Sequence, residues 1–481
     1  MRSLRRTLVP WLLACCALAS SASADDARPP GGDQAAKVLP AQGTTAASSA
    51  RTPGRHASNA RWVLNVVGDV AWPDGWGGIK DIDAAGPDLF ALVRPILSGG
   101  DLNFANLECP FTTARAVIKK TYPITCHPRR LAYAVDGGPF NLFSLANNHA
   151  LDAGGQGIDD TLALMRETTA AERPIWWAGV GADQAEAGAP VTVEVPGKGV
   201  RLAMIALANG GPATRVGSLH APDLLERISA AAASHDVVMV SVHFGPEYVH
   251  TPSAATVDRF HGFIDAGADL VVAHHAHVVQ GVERYGDGFI FYNLGNFSFG
   301  SKTRRHFETG ARLYSMIGRV EFQGARLAAV ELVPVYANNS AAWTLGDDTL
   351  PARHAMPQPL YGPFADYALD EFVSFSKAVP TAQPTPLHRV GDRLFADLGG
   401  GAPAAEPFAI ALHEQVHHRD GLQRAGGGTR SATDGEKKRT TLAGTPPNAQ
   451  KLAAARKAQK QREAKRKAKR RARQRRLRRN R

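Results

Sequence analysis

The sequence predicts a layered α/β fold, and three observations carry that expectation. Short Val/Ile/Leu-rich runs recur from Trp62 to Tyr336, helical patterns lie between several of them, and reactive side chains gather where the runs end. The runs "WVLNVVGD", "DLNFANLE", "LFSLAN", "RLAMIALA", "DVVMVSVHF", "DLVVAH", "FIFYNLGNF", "LYSMIGRVEF" and "RLAAVELVPVY" read as strands. Several are almost continuously apolar, as strands covered on both faces are. Between them "PDLFALVRPIL", "GIDDTLALMRETT", "PDLLERISAAAAS" and "SAATVDRFHGFIDAG" read as helices. The last of these ends at Gly267, a glycine placed to cap it. Consecutive strands toward Tyr336 add an antiparallel portion, and "EFVSFSKAV" and "DRLFADL" read as peripheral elements closing the domain near residue 400.

At 481 residues the chain can hold one large α/β domain with tails. A hydrophobic share of 44% against 21% charged residues suffices for a sizeable core. The net charge of +12 does not belong to that domain. Residues 451–481 hold 17 Lys/Arg and one acid, Glu463, so the remaining 450 residues carry −4. The N-terminus has Arg2, Arg5 and Arg6, then an apolar run from Leu8 to Leu18, then the small residues Ala22 to Ala24. That order is expected of a secretory signal, with lipoprotein-type cleavage before Cys15 as the alternative. No later stretch is apolar enough over about 20 residues to cross a bilayer, so no transmembrane segment is expected in the mature chain. The expected organisation is a signal peptide over 1–24, a flexible linker over 25–60, a globular domain over 61–398, a low-complexity linker over 399–450 and a basic tail over 451–481. The flanking segments are too poor in apolar residues to order themselves.

Export to the periplasm, envelope or cell surface shapes two further expectations. Cys109 and Cys126 would meet an oxidising compartment, where they either form a disulfide or remain two separately buried thiols. The Lys/Arg tail attracts phosphates and other anions. Outside the cytoplasm its expected partners are an anionic surface polymer or envelope phosphates, and no nucleic acid is expected in vivo. A solvated extension without a partner is the alternative.

The polar residues at the strand ends form a set. Asp69 ends "VVGDV", Glu108 ends "ANLEC", Asn148 and His149 follow the third strand in "ANNHALDAG", His243 ends "MVSVHF", and His274, His275 and His277 close "DLVVAHHAH". In open α/β sheets ligand groups collect beyond the carboxyl ends of strands. Carboxylates, an amide oxygen and imidazoles suit divalent cations. If the chain stays extended, His275 and His277 point to one side and His274 faces away. Singly, Asp69 and Glu108 are as well explained as helix caps or turn residues, and Asn-Asn-His as a turn. Together, in this order, they point to a metal centre.

The blocks "NVVGDV", "NLECPFT", "LANNHALDAG", "VSVHFGPEY", "DLVVAHHAHVVQGVE" and "FYNLGNFSF" resemble those of CapA-type capsule or poly-γ-glutamate biosynthesis proteins, relatives of the calcineurin-like metallophosphoesterases. The resemblance runs from about Trp62 to near Leu398. It implies a four-layer α-β-β-α sandwich with two mixed sheets face to face. It also implies Asp69, Glu108, Asn148, His243, His275 and His277 as ligands of one or two divalent ions (Mn, Zn, Fe or Mg). His149 then matches the catalytic histidine, with Asp152 placed to orient it and Glu247 either touching substrate or buttressing its loop. The sequence departs from the pattern at Ala71, where the phosphoesterases have a metal-binding histidine, and at Phe244, Ala273 and Ala276. Three functions follow: an exported protein acting on an anionic capsular polymer, an exported metal-dependent phosphoesterase acting on small esters, or a polymer-binding module without catalysis.

Overall fold

The computed structural model describes residues 58–138, 140–170, 174–209, 214–300 and 310–398. The expected signal peptide, the low-complexity linker, the basic tail and nearly all of the first linker lie outside the described residues. In chain order the strands are β1 (Arg61–Ala71), β2 (Leu102–Leu107), β3 (Leu142–Ser144), β4 (Trp176–Ala178), β5 (Val191–Glu194) and β6 (Arg201–Ala208). There follow β7 (Val237–His243), β8 (Leu270–His274), β9 (Val282–Tyr285), β10 (Gly288–Phe291), β11 (Asn296–Phe299) and β12 (Tyr314–Gln323). The remaining six are β13 (Arg326–Tyr336), β14 (Trp343–Leu345), β15 (Asp348–Leu350), β16 (Gln358–Pro359), β17 (Leu387–Val390) and β18 (Arg393–Ala396).

Two sheets carry most of these strands. The larger has ten, in the order β17-β18-β13-β12-β1-β2-β3-β4, with β11 also paired to β1 and β16 to β13. Strands β1 to β4 are parallel, and β12, β13, β18 and β17 extend the sheet antiparallel. The smaller sheet has six, β5-β6-β7-β8-β10-β9, with a parallel centre and antiparallel edges. Side-chain alternation gives each sheet two buried faces. Leu64 and Val66 of β1 share one apolar cluster with Met204, Met239, Val272 and Phe291 of the smaller sheet, so the sheets pack face to face. The alternate residues Ile205, Val240 and Val271 form a second cluster with Ile228 of helix Leu224–Ser234 and Phe260 of helix Ala254–Asp265. On the far side of the larger sheet, Asn65 Nδ2 donates to Leu97 O at 3.1 Å, holding the short helix Arg94–Leu97 against β1. The result is the layered sandwich of helices, two mixed sheets and helices that the resemblance implies.

Two glycines set how closely the layers approach. A Cβ at Gly318 would lie 2.6 Å from the Phe291 ring across the sheet interface. A Cβ at Gly68 would fall 1.7 Å from Gly295 O, so only glycine lets β1 pass the turn before β11. The ladders shift register just there, between Val66 and Asp69 against β2 and between Asp69 and Val70 against β11. Such irregularities re-aim side chains, and here the re-aimed residue is Asp69.

Several elements differ from the sequence reading. The run "FIFYNLGNF" is two strands in different sheets, because the Asn293–Gly295 turn carries the chain from β10 across to β11. "PDLFALVRPIL" breaks into a 3-10 turn, Gly86–Phe90, and the helix Arg94–Leu97, since Pro95 cannot continue a helix begun before it. The elements expected to be peripheral are not. Phe372 of helix Gly362–Lys377 is buried in the main core, and Leu394 of β18, one strand in from the edge of the larger sheet, is buried and pairs with Leu332 of β13. Their apolar residues were sufficient for this; only the partner strand was hidden by distance along the chain.

Candidate metal centre

The two sheets deliver their polar strand ends to one place. From the larger sheet come Asp69, in the irregular part of β1, and Glu108, directly after β2. His149 lies in the turn after β3, in a loop that Asn147 shapes by donating from Nδ2 to Leu107 O at 2.8 Å and accepting from His149 N at 3.0 Å. From the smaller sheet come His243, at the end of β7, and His275 and His277, after β8.

Glu108 is wholly buried, and neither carboxylate oxygen accepts a hydrogen bond from any described residue. Its Oε1 lies 3.4 Å from His243 Nε2, 3.8 Å from His277 Nε2 and 3.8 Å from His149 Nε2. Two groups of potential donor atoms share it: Glu108, His243 and His275 make one, and Asp69, Glu108 and His277 the other, with the atoms of each group within 4.8 Å of one another. Asn148 joins the first group, its Oδ1 lying 3.0 Å from His243 Nε2. A buried carboxylate without donors, ringed by imidazole nitrogens, is costly unless a cation completes it. The donor set therefore fits a divalent ion, with Glu108 common to both halves.

The histidines after β8 reach the site by a different route from the one alternation suggests. β8 ends at His274, and residues 275 and 277 have φ of 89° and 56°. His274 shares the inner face with Leu270 and Val272, so an extended chain would aim His275 and His277 at the outer helices. Left-handed backbone at both turns them inward, a strain that persists where the surroundings fix it. His274, read from sequence as facing away, lies wholly buried between the sheets, near Phe104, with Nδ1 3.3 Å from Asp69 Oδ1.

Around the donors sits a second layer of polar contacts. Asn106 Nδ2 donates to Asp69 Oδ1 at 2.8 Å and lies 3.2 Å from His243 Nδ1. His275 N donates to Asp69 Oδ2 at 3.2 Å, and Asn296 Oδ1 lies 2.8 Å from His277 Nδ1. These fix the rings as outer groups fix metal-ligating histidines. His149 Nδ1 meets Asp152 Oδ2 at 2.7 Å, and Lys120 Nζ lies 2.6 Å from Asp152 Oδ1, 2.9 Å from His149 Nδ1 and 2.9 Å from Asn148 O. Asp152 and Lys120 thus both hold the ring at Nδ1, and its other nitrogen, Nε2, faces Glu108. Asn106 and Lys120 escape sequence reasoning. Asn106 leaves a trace, a polar residue in an apolar strand, whereas Lys120 has none because its loop follows no period.

The electrostatics separate the two carboxylates. Burial pushes Glu108 well above the ordinary carboxylate range, with Asp69 and Glu247 adding to it against His277 and Lys120. Burial acts on Asp69 too, but hydrogen bonding and charge from His274, with charge from His277, hold it well below that range. Burial disfavours the His277 imidazolium, yet Glu108 and Asp69 hold its pKa above the usual value. Burial lowers His243, His275 and His149, leaving neutral rings suited to coordination. Glu247 is exposed on the loop after β7 and contributes field at Glu108 and His277. Beside the site Cys109 and Cys126 form a disulfide, their Cα atoms 5.9 Å apart.

Comparison with known proteins bears on the same residues. A family model described as bacterial capsule synthesis protein PGA_cap matches residues 63–301. The capsule biosynthesis protein CapA of Bacillus anthracis is 33% identical over 272 residues, covering 52% of this chain and 63% of that protein. The PGA biosynthesis protein CapA of Bacillus subtilis (strain 168) is 29% identical over 220 residues, covering 44% and 56%. A probable polyglutamine synthesis accessory protein of Mycobacterium tuberculosis is 29% identical over 214 residues, covering 41% and 55%. The chain thus spans little more than half the length of these relatives. Among solved structures, a hypothetical protein from Thermus thermophilus aligns with a TM-score of 0.36 at 18% identity, over 56% of this chain and 98% of that one. A 5'-nucleotidase from Candida albicans aligns with a TM-score of 0.28 at 11% identity, over 55% and 48%. Those scores are too low to bear on the fold. The site residues Asp69, Glu108, Asn148, His149, His243, His275 and His277 all fall inside the segment that matches the bacterial capsule synthesis family model, and over that segment the chain is similar to the CapA proteins.

Proposed function

We propose that the protein is exported and acts in the biosynthesis or surface attachment of an anionic capsular polymer of the poly-γ-glutamate type, through a divalent-metal site. One observation carries the metal part: the buried, donor-free Glu108 facing three imidazole nitrogens at 3.4–3.8 Å. The polymer part rests on the match to the family model and on the names of the relatives. In this reading Asp69, Glu108, Asn148, His243, His275 and His277 hold the ion. A bound divalent ion supplies Lewis-acid polarisation of a phosphoryl or carbonyl oxygen and activation of water.

The chain's own residues do the rest. Asp152 and Lys120 fix the His149 ring, whose Nε2 faces the Glu108 side of the site and takes up or returns a proton there. No helix among the described residues is long and apolar enough to cross a membrane. The basic tail tethers the domain to anionic envelope material.

Metal analysis of natively purified protein tests the core of this reading. Divalent metal present in the wild type and lost in Asp69→Ala and His275→Ala is expected, together with failure of both variants to restore polymer to a strain lacking its own CapA-type protein. Metal-free wild type that still restores polymer would overturn the metal site. A second reading, an exported phosphoesterase, is favoured by the His149–Asp152 pair beside Glu108. Turnover of a chromogenic phosphodiester by metal-loaded protein, abolished in His149→Ala, distinguishes it.

A further inference from the structure

The disulfide closes a loop whose inner side is tied to the metal centre. Val117 N and Ile118 N donate to Asp152 O at 2.7 and 3.3 Å, Ile124 N donates to Asp152 Oδ2 at 2.7 Å, and Lys120 reaches Asn148 O at 2.9 Å. At its far end, Tyr122 meets Trp76, Trp76 meets Phe299, and Phe299 meets His277 at 5.2 Å between ring centroids. The loop therefore runs as a wall from the His149 side of the site to the His277 side.

Its outer side has an unusual composition. Val117, Ile118 and Tyr122 are 67%, 40% and 43% exposed, three of the seven large hydrophobics that stand out into solvent among the described residues. Arg115 and Lys119 are exposed among them and make no ion pair or side-chain hydrogen bond with any described residue. No acidic residue occurs between Glu108 and Asp136, although the chain before its tail is net acidic. Alternating unpaired cations and apolar side chains complement a chain that alternates carboxylates with short apolar spacers.

We propose that this stapled loop is the surface that seats an acidic polyamide, with Arg115 and Lys119 on its carboxylates and Val117, Ile118 and Tyr122 on the methylenes between them. The proposal rests on the polymer reading above and names the element that would carry it. A phosphate polymer would satisfy the two cations and leave the apolar residues without a role, so the carboxylate chain is favoured.

The test measures binding of fluorescent poly-γ-glutamate to the full chain at fixed salt, with metal content and thermal midpoint read on the same samples. Arg115→Gln/Lys119→Gln is expected to weaken binding roughly tenfold and flatten its salt dependence. Val117→Ser/Ile118→Ser is expected to weaken it severalfold with the salt dependence unchanged. Both keep wild-type metal content and midpoint. Glu108→Gln separates the two readings, since it should lose metal and keep polymer affinity. Wild-type affinity in both loop variants, which is what binding through the basic tail alone would give, overturns the proposal, as does a wild type that does not bind. Polyphosphate competing as well as unlabelled poly-γ-glutamate at equal charge overturns the assignment to a carboxylate chain.

Discussion

Glu108 and Glu283 are buried to the same degree, yet their surroundings are opposites. Glu283, on β9 at the edge of the smaller sheet, accepts from Tyr292 Oη at 2.6 Å, faces His261 Nε2 at 2.9 Å and also accepts from the Thr381 hydroxyl. Glu108 accepts from nothing among the described residues and meets only imidazole nitrogens. The first carboxylate is a finished piece of architecture. The second is left open, and on the proposed reading a cation completes it, so the pair sets a structural acid beside a candidate functional one at equal burial.

Four measurements would break or sharpen that contrast. The largest effect is expected from metal. A ligand that binds only the folded state at a thousand times its dissociation constant adds about 4 kcal/mol. Thermal unfolding of the wild type should respond to Mn or Zn on that scale, and Glu108→Gln should not; a shift of equal size in both would remove Glu108 from the site. Next comes Glu283→Ala, which strands the Tyr292 hydroxyl and its neighbours and should cost about 3 kcal/mol in denaturant unfolding, with metal response intact. Third, metal-free Glu108→Gln should gain about 1 kcal/mol over metal-free wild type, because a carboxylate without donors has been removed. A loss matching that of Glu283→Ala would end the contrast.

The smallest effect concerns pH. The native pKa of Glu108 is raised above its ordinary value of 4.5, so native protein keeps a proton that the unfolded chain releases. The stabilisation this gives is present below 4.5 and is lost as pH rises toward the native value. Glutamine does not titrate. The advantage of Glu108→Gln over wild type, both metal-free, should therefore widen with rising pH above 4.5; a constant gap would show that Glu108 is not raised.

The sandwich and the central donors were legible for one reason: they depend on local pattern. Apolar runs mark β1, β6, β7, β8, β12 and β13, and Asp69, Glu108, His149 and His243 lie at or near the ends of such runs. What stayed hidden depends on backbone conformation or on contacts between distant segments. Period-two reasoning assigned the histidines after β8 to the wrong geometry, because positive φ at His275 and His277 leaves no trace in residue type. Lys120 was invisible because a disulfide, not a repeat, brings its loop to Asp152. β18 was underrated because its partner β13 lies some sixty residues earlier.

The donors are split evenly across the molecule's midline: Asp69, Glu108 and Asn148 belong to one sheet's loops and strands, and His243, His275 and His277 to the other's. An ion seated among them would rivet the two halves at the rim where their strands emerge. Chelation should then loosen both halves together, with amide exchange at the ends of β1 and β7 quickening in step while the helices outside stay protected.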